Sequence, residues 1–367
     1  MRRFNSTLAA VAIVFSWCPA NWAAEKPAAK ISFRRVQIDP VFRAEGVAVA
    51  DFNGDGAQDV AAGSVYYAAP DWKMHSILPE PKAFSPEVYS DAFCCFAEDL
   101  SGDDRPDLIV VDIPGKPTSW FENPGKADTP WKRHLAVRVT NGESPLWVDV
   151  DGDGRPELVC GSSPDVENPD SPRRRMVLAS PGKDPYAPWP LRKVSAENAP
   201  GTRKYAHGLG AGDVNGDGRC DLVVIQGWWE APAGRAQNEW NFHEAPLGEH
   251  AAHMLVDDFD GDGDADVLSS SAHRFGVWWH EQMADGWKTR LVDDTLSQTH
   301  AVCAADINGD GLTDFVTGKR WWAHMGRDPG ADQPALVVWY ELRHHGGQPL
   351  WKRHQIDDNS GVGTQFQ

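Results

Sequence analysis

Six stretches of the chain carry oxygen donors at a spacing that suits a hard cation. Each reads Asp-x-(Asn/Asp/Ser)-Gly-Asp-(Gly/Asp)-x-x-(Asp/Glu), starting at Asp51, Asp99, Asp149, Asp213, Asp258 and Asp306. Donors at positions 1, 3, 5 and 9, with glycine at 4 and usually at 6 for the tight turn, are expected to hold Ca²⁺, up to six ions in all. The ligand sets are Asp51, Asn53, Asp55 and Asp59; Asp99, Ser101, Asp103 and Asp107; Asp149, Asp151, Asp153 and Glu157; Asp213, Asn215, Asp217 and Asp221; Asp258, Asp260, Asp262 and Asp266; and Asp306, Asn308, Asp310 and Asp314. The second is the weakest, with Ser101 at position 3 and Asp104 in place of glycine. An EF-hand would need flanking helices and a Glu at position 12, and neither is present. Each ion is expected to tie down a hairpin rather than to act as a switch.

A second pattern sits six residues before each first Asp: Glu45, Phe93, Glu143, His207, Ala252 and His300, with His253 next to Ala252. If the repeats stand in a ring, these positions share one height at the mouth of its channel. His207, His253 and His300 then form a three-imidazole site for a divalent ion such as Zn²⁺, Mn²⁺ or Mg²⁺, and Glu143 can add a carboxylate. The ends of the second strands bring His273, Lys319 and Arg320 to the same mouth, and Tyr205 and His250 lie just before their strands. The loops 162–175, 228–238 and 319–335 are long enough to form walls. Among the pairs Trp228-Trp229, Trp278-Trp279 and Trp321-Trp322, packing is expected of most rings, but an exposed one beside Arg and His suits the apolar face of a sugar.

The elements that position these residues follow from the period. First Asp residues recur at intervals of 48, 50, 64, 45 and 48 residues, the length of a four-stranded propeller blade. Each unit offers an inner strand entering the Asp loop and a second leaving it. A third carries an aromatic pair (Trp120-Phe121-Glu122, Trp228-Trp229-Glu230, Trp278-Trp279-His280, Trp339-Tyr340-Glu341), and an outer one ends in His75, His134, His243 or His354. The fold class is all-β, a β-propeller. Phe33 to Ile38 resembles an outer strand that would complete the last blade, and 357–367 resembles the start of another inner strand. The expectation is seven blades with an incomplete last one, the alternative being closure with six.

The 35 Lys+Arg stand against 53 Asp+Glu, and this net charge of −18 argues against nucleic acid as a partner. Six divalent ions would offset about two thirds of it. Residues 1–24, with Arg2-Arg3, an apolar run from Leu8 to Phe15 and small residues near Ala20 to Ala24, form a secretory signal peptide. The propeller domain is 25–367, and the expected location is secreted or periplasmic. Bulky Trp17 before Cys18 argues against lipidation, and no later segment is long and apolar enough to span a membrane. Cys94, Cys95, Cys160, Cys220 and Cys303 are an odd set with no zinc spacing, expected as buried thiols.

The Asp-loop repeats resemble the FG-GAP/VCBS type of calcium-binding propeller over essentially the whole mature chain. Three stretches are similar to the propeller of aldos-2-ulose dehydratase and its secreted bacterial relatives: His207-Gly208-Leu209-Gly210; His253-Met254-Leu255-Val256 continuing to Ser271-Ala272-His273; and Thr299-His300-Ala301 continuing to Lys319-Arg320-Trp321-Trp322-Ala323-His324. The resemblance implies metal-dependent elimination of water, or of a glycosidic group, from a keto-sugar. The fungal type has further domains, so its dimerisation and any second step are not carried over. On this basis His207, His253 and His300 are ligands with Glu143, and His273 is base or acid. Arg320 and Lys319 contact oxyanion or hydroxyl groups, and Tyr205 joins the catalytic set. Glu45, Trp228, Trp322 and His324 contact a small carbohydrate. The competing class is a non-enzymatic calcium propeller that binds glycan or a protein partner.

Overall fold

Apolar and β-branched runs punctuated by Asp-Gly turns leave little choice but hairpins, and hairpins are what form. The computed structural model describes residues 31–234, 239–249, 251, 253–346 and 348–366. Its strands all lie in the unit Phe33–Gln367. The expected signal peptide, His250 and Ala252 lie outside the described residues.

Six antiparallel four-stranded blades follow one another. Blade 1 is Ala48–Ala50, Asp59–Ala62, Val65–Ala68 and Lys73–Ser76. Blade 2 is Cys94–Glu98, Asp107–Val111, Lys116–Glu122 and the first half of Lys132–Val148. The second half of that long strand is the inner strand of blade 3, followed by Glu157–Ser162, Arg175–Ala179 and Leu191–Lys193, which makes blades 2 and 3 one seven-stranded sheet. Blade 4 is Gly210–Gly212, Asp221–Val224, Gly227–Glu230 and Asn241–Glu244. Blade 5 is Leu255–Asp257, Asp266–Ser270, Phe275–Met283 and Gly286–Ser297. Blade 6 is Val302–Ala305, Asp314–Gly318, Val337–His345 and Gln348–Asp357. Every Asp loop closes in the same register, with position 9 paired to the last inner-strand residue: Ala50 with Asp59, Glu98 with Asp107, Val148 with Glu157, Gly212 with Asp221, Asp257 with Asp266 and Ala305 with Asp314.

The loops hold their shape by carboxylates that accept backbone N–H groups. Asp51 takes the amides of Gly54, Asp55 and Gly56, an arrangement repeated at Asp99, Asp149, Asp258 and Asp306. Positions 4 and 6 are left-handed throughout, so Asp104 in the second loop adopts φ 65° where glycine stands elsewhere. Position 9 reaches across the hairpin: Asp59 accepts from Phe52 N and Ala69 N, and Asp221 from Val214 N and Ala231 N.

Between blades, one polar residue at the end of a third strand donates to the preceding blade's Asp loop. Asn123 Nδ2 donates to Phe52 O at 2.9 Å, Gln282 Nε2 to Val214 O at 3.0 Å, and His344 Nε2 to Phe259 O at 2.9 Å. Asn123 also donates to Pro106 O and is buried. Asn123→Ala strands two carbonyls and is expected to destabilise the protein by about 1–3 kcal/mol, read as a lower urea midpoint with unchanged slope. An unshifted midpoint would show that these links are incidental.

On the outer side, the third-strand aromatic stacks on the fourth-strand histidine directly opposite: Trp120 on His134, Trp228 on His243 and Trp339 on His354, with centroids 4.2–4.4 Å apart. Each histidine also bonds a third-strand carboxylate, Glu122, Glu230 or Glu341. Trp228 therefore packs inside blade 4, which corrects its assignment as a sugar contact. Cys94, Cys95 and Cys160 are buried, Cys220 and Cys303 half-buried, and all five are free thiols.

Phe33 to Ile38 forms no strand. The outer place of blade 6 is already filled by Gln348–Asp357, against which Arg35 makes only a 3.7 Å ion pair with Asp357. The segment after Asp357 runs instead through the seam between blades 6 and 1. Val362 N donates to Lys319 O, Thr364 N to Glu45 O, and Thr364 Oγ1 to Phe93 O. Gln365 Oε1 accepts from Val47 N and Cys95 N. This tail takes the place expected for an incomplete seventh unit.

Candidate metal centre and substrate cavity

Neighbouring inner segments hydrogen-bond before the strands begin, and this sets equal heights. Glu45 N donates to Ala92 O, Glu143 N to Ala206 O, and Met254 N to Leu209 O. Glu143 owes its direction to a break in the long strand. Pairing is irregular between Asn141 and Leu146, and Gly142 between them has φ 84°, a conformation an L residue adopts at a penalty.

The carboxylate of Glu143 lies 2.8 Å from His300 Nε2 and 3.6 Å from His207 Nε2, all three side chains being buried. Burial works to raise this carboxyl. The hydrogen bond and charge of His300, with His207 and Arg320, outweigh it and hold it down at about 2. His273 extends the group, its Nε2 2.7 Å from His207 Nε2 and its Nδ1 3.1 Å from Asp328. His324 stacks on His273 with centroids 4.5 Å apart, and its Nδ1 also faces Asp328, at 2.9 Å. A carboxylate only accepts, so both rings present Nδ1–H to Asp328, and the Nε2 of His273 accepts from His207 Nε2. Burial lowers the His273 pKa, against the pull of Asp328.

Three expected members stand elsewhere. His253 is buried at the neighbouring position, where its ring bonds the Pro145 carbonyl; burial, then the nearby His300, lowers its pKa to about 4. It is absent from the two histidine sets that converge among the described residues, Glu143, His207 and His300, and His273, His324 and Asp328. Lys319 is 1% exposed, its Nζ donating to the carbonyls of Arg320 and Ala331, so it braces the 319–335 loop instead of facing a ligand. Tyr205 is 44% exposed, with Lys204 over its ring, and makes no contact with the histidines. Asp328 carried no sequence signal, because it sits in a long loop without periodicity.

Beside this cluster, at the seam of blades 6 and 1, is a cavity of about 690 Å³. Glu45, Tyr89, Arg320, Trp321, Trp322 and His324 line it. Arg320 is buried with its guanidinium 5.7 Å from the Tyr89 ring, and its Nη1 has no hydrogen-bond partner. Burial raises the Glu45 carboxyl, with Arg320 opposing and Glu143 adding to the rise; burial likewise raises the Tyr89 phenol. Trp321 and Trp322 are exposed at the rim.

At the Asp loops, the acidic sets that converge among the described residues are Asp149, Asp151 and Glu157, and Asp258, Asp260 and Asp262. The position-9 aspartates are buried and fully engaged by N–H groups, so their first duty is to the hairpin.

A profile described as FG-GAP-like repeat matches residues 99–160 and 258–317, so these segments are FG-GAP-like repeats of a β-propeller. No curated protein sequence matches the chain. Solved structures are similar only distantly. A lectin from Agrocybe aegerita that recognises non-reducing terminal N-acetylglucosamine is 15% identical, with 86% of this chain and 80% of that one covered at a TM-score of 0.47. The PQQ-bound aldose sugar dehydrogenase of Streptomyces coelicolor is 12% identical over 80% and 92%, at 0.40. A rhamnogalacturonan lyase is 12% identical over 87% and 72%, at 0.41. Among the described residues no helix is long and apolar enough to cross a membrane.

Proposed function

We propose that the chain is an exported, calcium-stabilised propeller whose mouth eliminates water or a glycosidic group from a keto-sugar. The observation that carries this reading is the convergence of Glu143, His207 and His300, buried beside a cavity that Arg320 lines. Two imidazole nitrogens and one carboxylate oxygen suit a borderline divalent ion such as Zn²⁺ or Mn²⁺ better than Mg²⁺, which prefers oxygen. When bound, such an ion would supply positive charge for the oxygen of a keto group.

The chain's own residues account for the proton movements. His273, its Nδ1–H fixed by Asp328, takes the proton next to the ketone through Nε2 in exchange for its hydrogen bond with His207. Arg320 lines the cavity and brings a guanidinium to a substrate oxygen, where a buried donor is worth more than in water. Glu45, protonated more readily because it is buried, can return a proton to the departing hydroxyl or alkoxide.

The test is ultraviolet detection of an enone from 1,5-anhydrofructose and from 3-keto-glucosides, with metal analysis after mild chelation. Absorbing product and a tightly held transition metal support the lyase. Calcium alone and no product would defeat it and favour a propeller that binds glycan without converting it.

A further inference from the structure

The geometry points to the seam cavity as the seat of an apolar, ring-shaped aglycone, so that the substrate is a keto-glycoside carrying an aryl group rather than a free keto-sugar. This inference deepens the lyase reading and rests on it. The cavity has two unlike ends. Arg320, Glu45 and His324 stand at the side nearest the histidines, whereas Phe42, Val88, Trp322, Met325, Val337 and Phe366 make up most of the remainder, with Glu87 and Arg327 among them. Its 690 Å³ falls in the roughly 300–1,000 Å³ range that encloses drug-sized ligands, and a single hexose would leave much of it unfilled. A second hexose could hydrogen-bond Glu87 or Arg327, but the hydroxyls it turned to the larger apolar part of the wall would be desolvated without replacement. A flat apolar ring loses nothing there and gains aromatic contact with Trp322 and Phe42. Trp321, Trp322, Met325 and Val88 are all exposed in the free protein, at 60%, 41%, 53% and 50%, a cluster of large apolar surface at one entrance.

Calorimetric titration of methyl 3-keto-glucoside, phenyl 3-keto-glucoside and a keto-disaccharide tests this, with enone formation followed in the same samples. The phenyl ligand is expected to bind at least tenfold more tightly than the methyl one, about 1.4 kcal/mol. Val88→Trp, which fills the cavity from its exposed rim, and Trp322→Ala should each bring that ratio to within threefold. Equal affinities in the wild type, or a disaccharide that outranks the phenyl ligand, overturn the inference. Product from the methyl glycoside without a phenyl advantage sinks the aglycone site and leaves the lyase standing. Tight phenyl binding that needs the keto-sugar but yields no product sinks the lyase and upholds the site.

Discussion

Glu143→Gln is expected to lower kcat/KM on a keto-sugar by at least about a thousandfold and to strip most of the bound transition metal. The substitution keeps the shape of the side chain and removes its charge. Glu143 is the one carboxylate between His207 and His300, and His300 is fully buried. Loss of a single charged ligand removes the main attraction for a divalent ion in a low-dielectric site, and loss of a precisely placed charge in an active site is worth about 3–4 kcal/mol or more in rate. Metal content by mass spectrometry and turnover are measured together. His253→Ala is the comparison, expected to keep its metal because that imidazole bonds the Pro145 carbonyl. A Glu143→Gln protein with full metal and full turnover would remove the centre from the mechanism.

The second large effect is on stability. Chelation of calcium at pH 8 is expected to lower Tm by more than about 10 °C, since one ion present at a hundred times its Kd contributes about 2.7 kcal/mol and several loops act in parallel. The metal-free protein should then show an inverted pH dependence. Burial pushes Asp266 up to about 7 and Asp107 and Asp221 up to about 6, against the backbone N–H groups that favour their ionised forms. A carboxyl whose folded pKa is raised holds its proton more firmly in the folded chain than in the unfolded one. Its contribution is complete below about pH 4 and is lost as pH rises through 6 to 7. In chelator, Tm at pH 5.5 should exceed Tm at pH 8, and added calcium should raise the pH 8 value most. Identical melts with and without calcium at pH 8 would show that the loops stand on their hydrogen bonds alone.

Much of this molecule is legible in its sequence because the repeat is periodic. The third and outer strands lie where Trp120-Phe121-Glu122 or Trp240 to His243 placed them, and all six Asp loops share one register. Counting back six residues from each first Asp picked out Glu143, His207 and His300, whose ligand atoms lie within 4.8 Å of one another, and reached His253 only one residue off phase. Height is not direction, however. Whether an imidazole turns to the axis or to a neighbour's carbonyl depends on local breaks such as the one at Gly142, and these have no period. Lys319 looked like a mouth cation because it precedes Arg320, yet adjacent residues on an extended chain point opposite ways, and its stem went into the fold. Trp228 could have been placed from the sequence, since its partner His243 follows at the same spacing as His354 after Trp339. Asp328 could not, because a loop with no repeat counterpart offers nothing to align.

The tail that crosses the seam also governs the order of events in biosynthesis. Thr364 and Gln365 bond to blades 1 and 2, which are made first, and Val362 to blade 6, which is made last. Until those residues emerge, the nascent propeller is an open arc with blade 1 lacking its neighbour. The cavity at the seam, walled in part by the same tail, is therefore complete only once that segment has docked between blades 6 and 1.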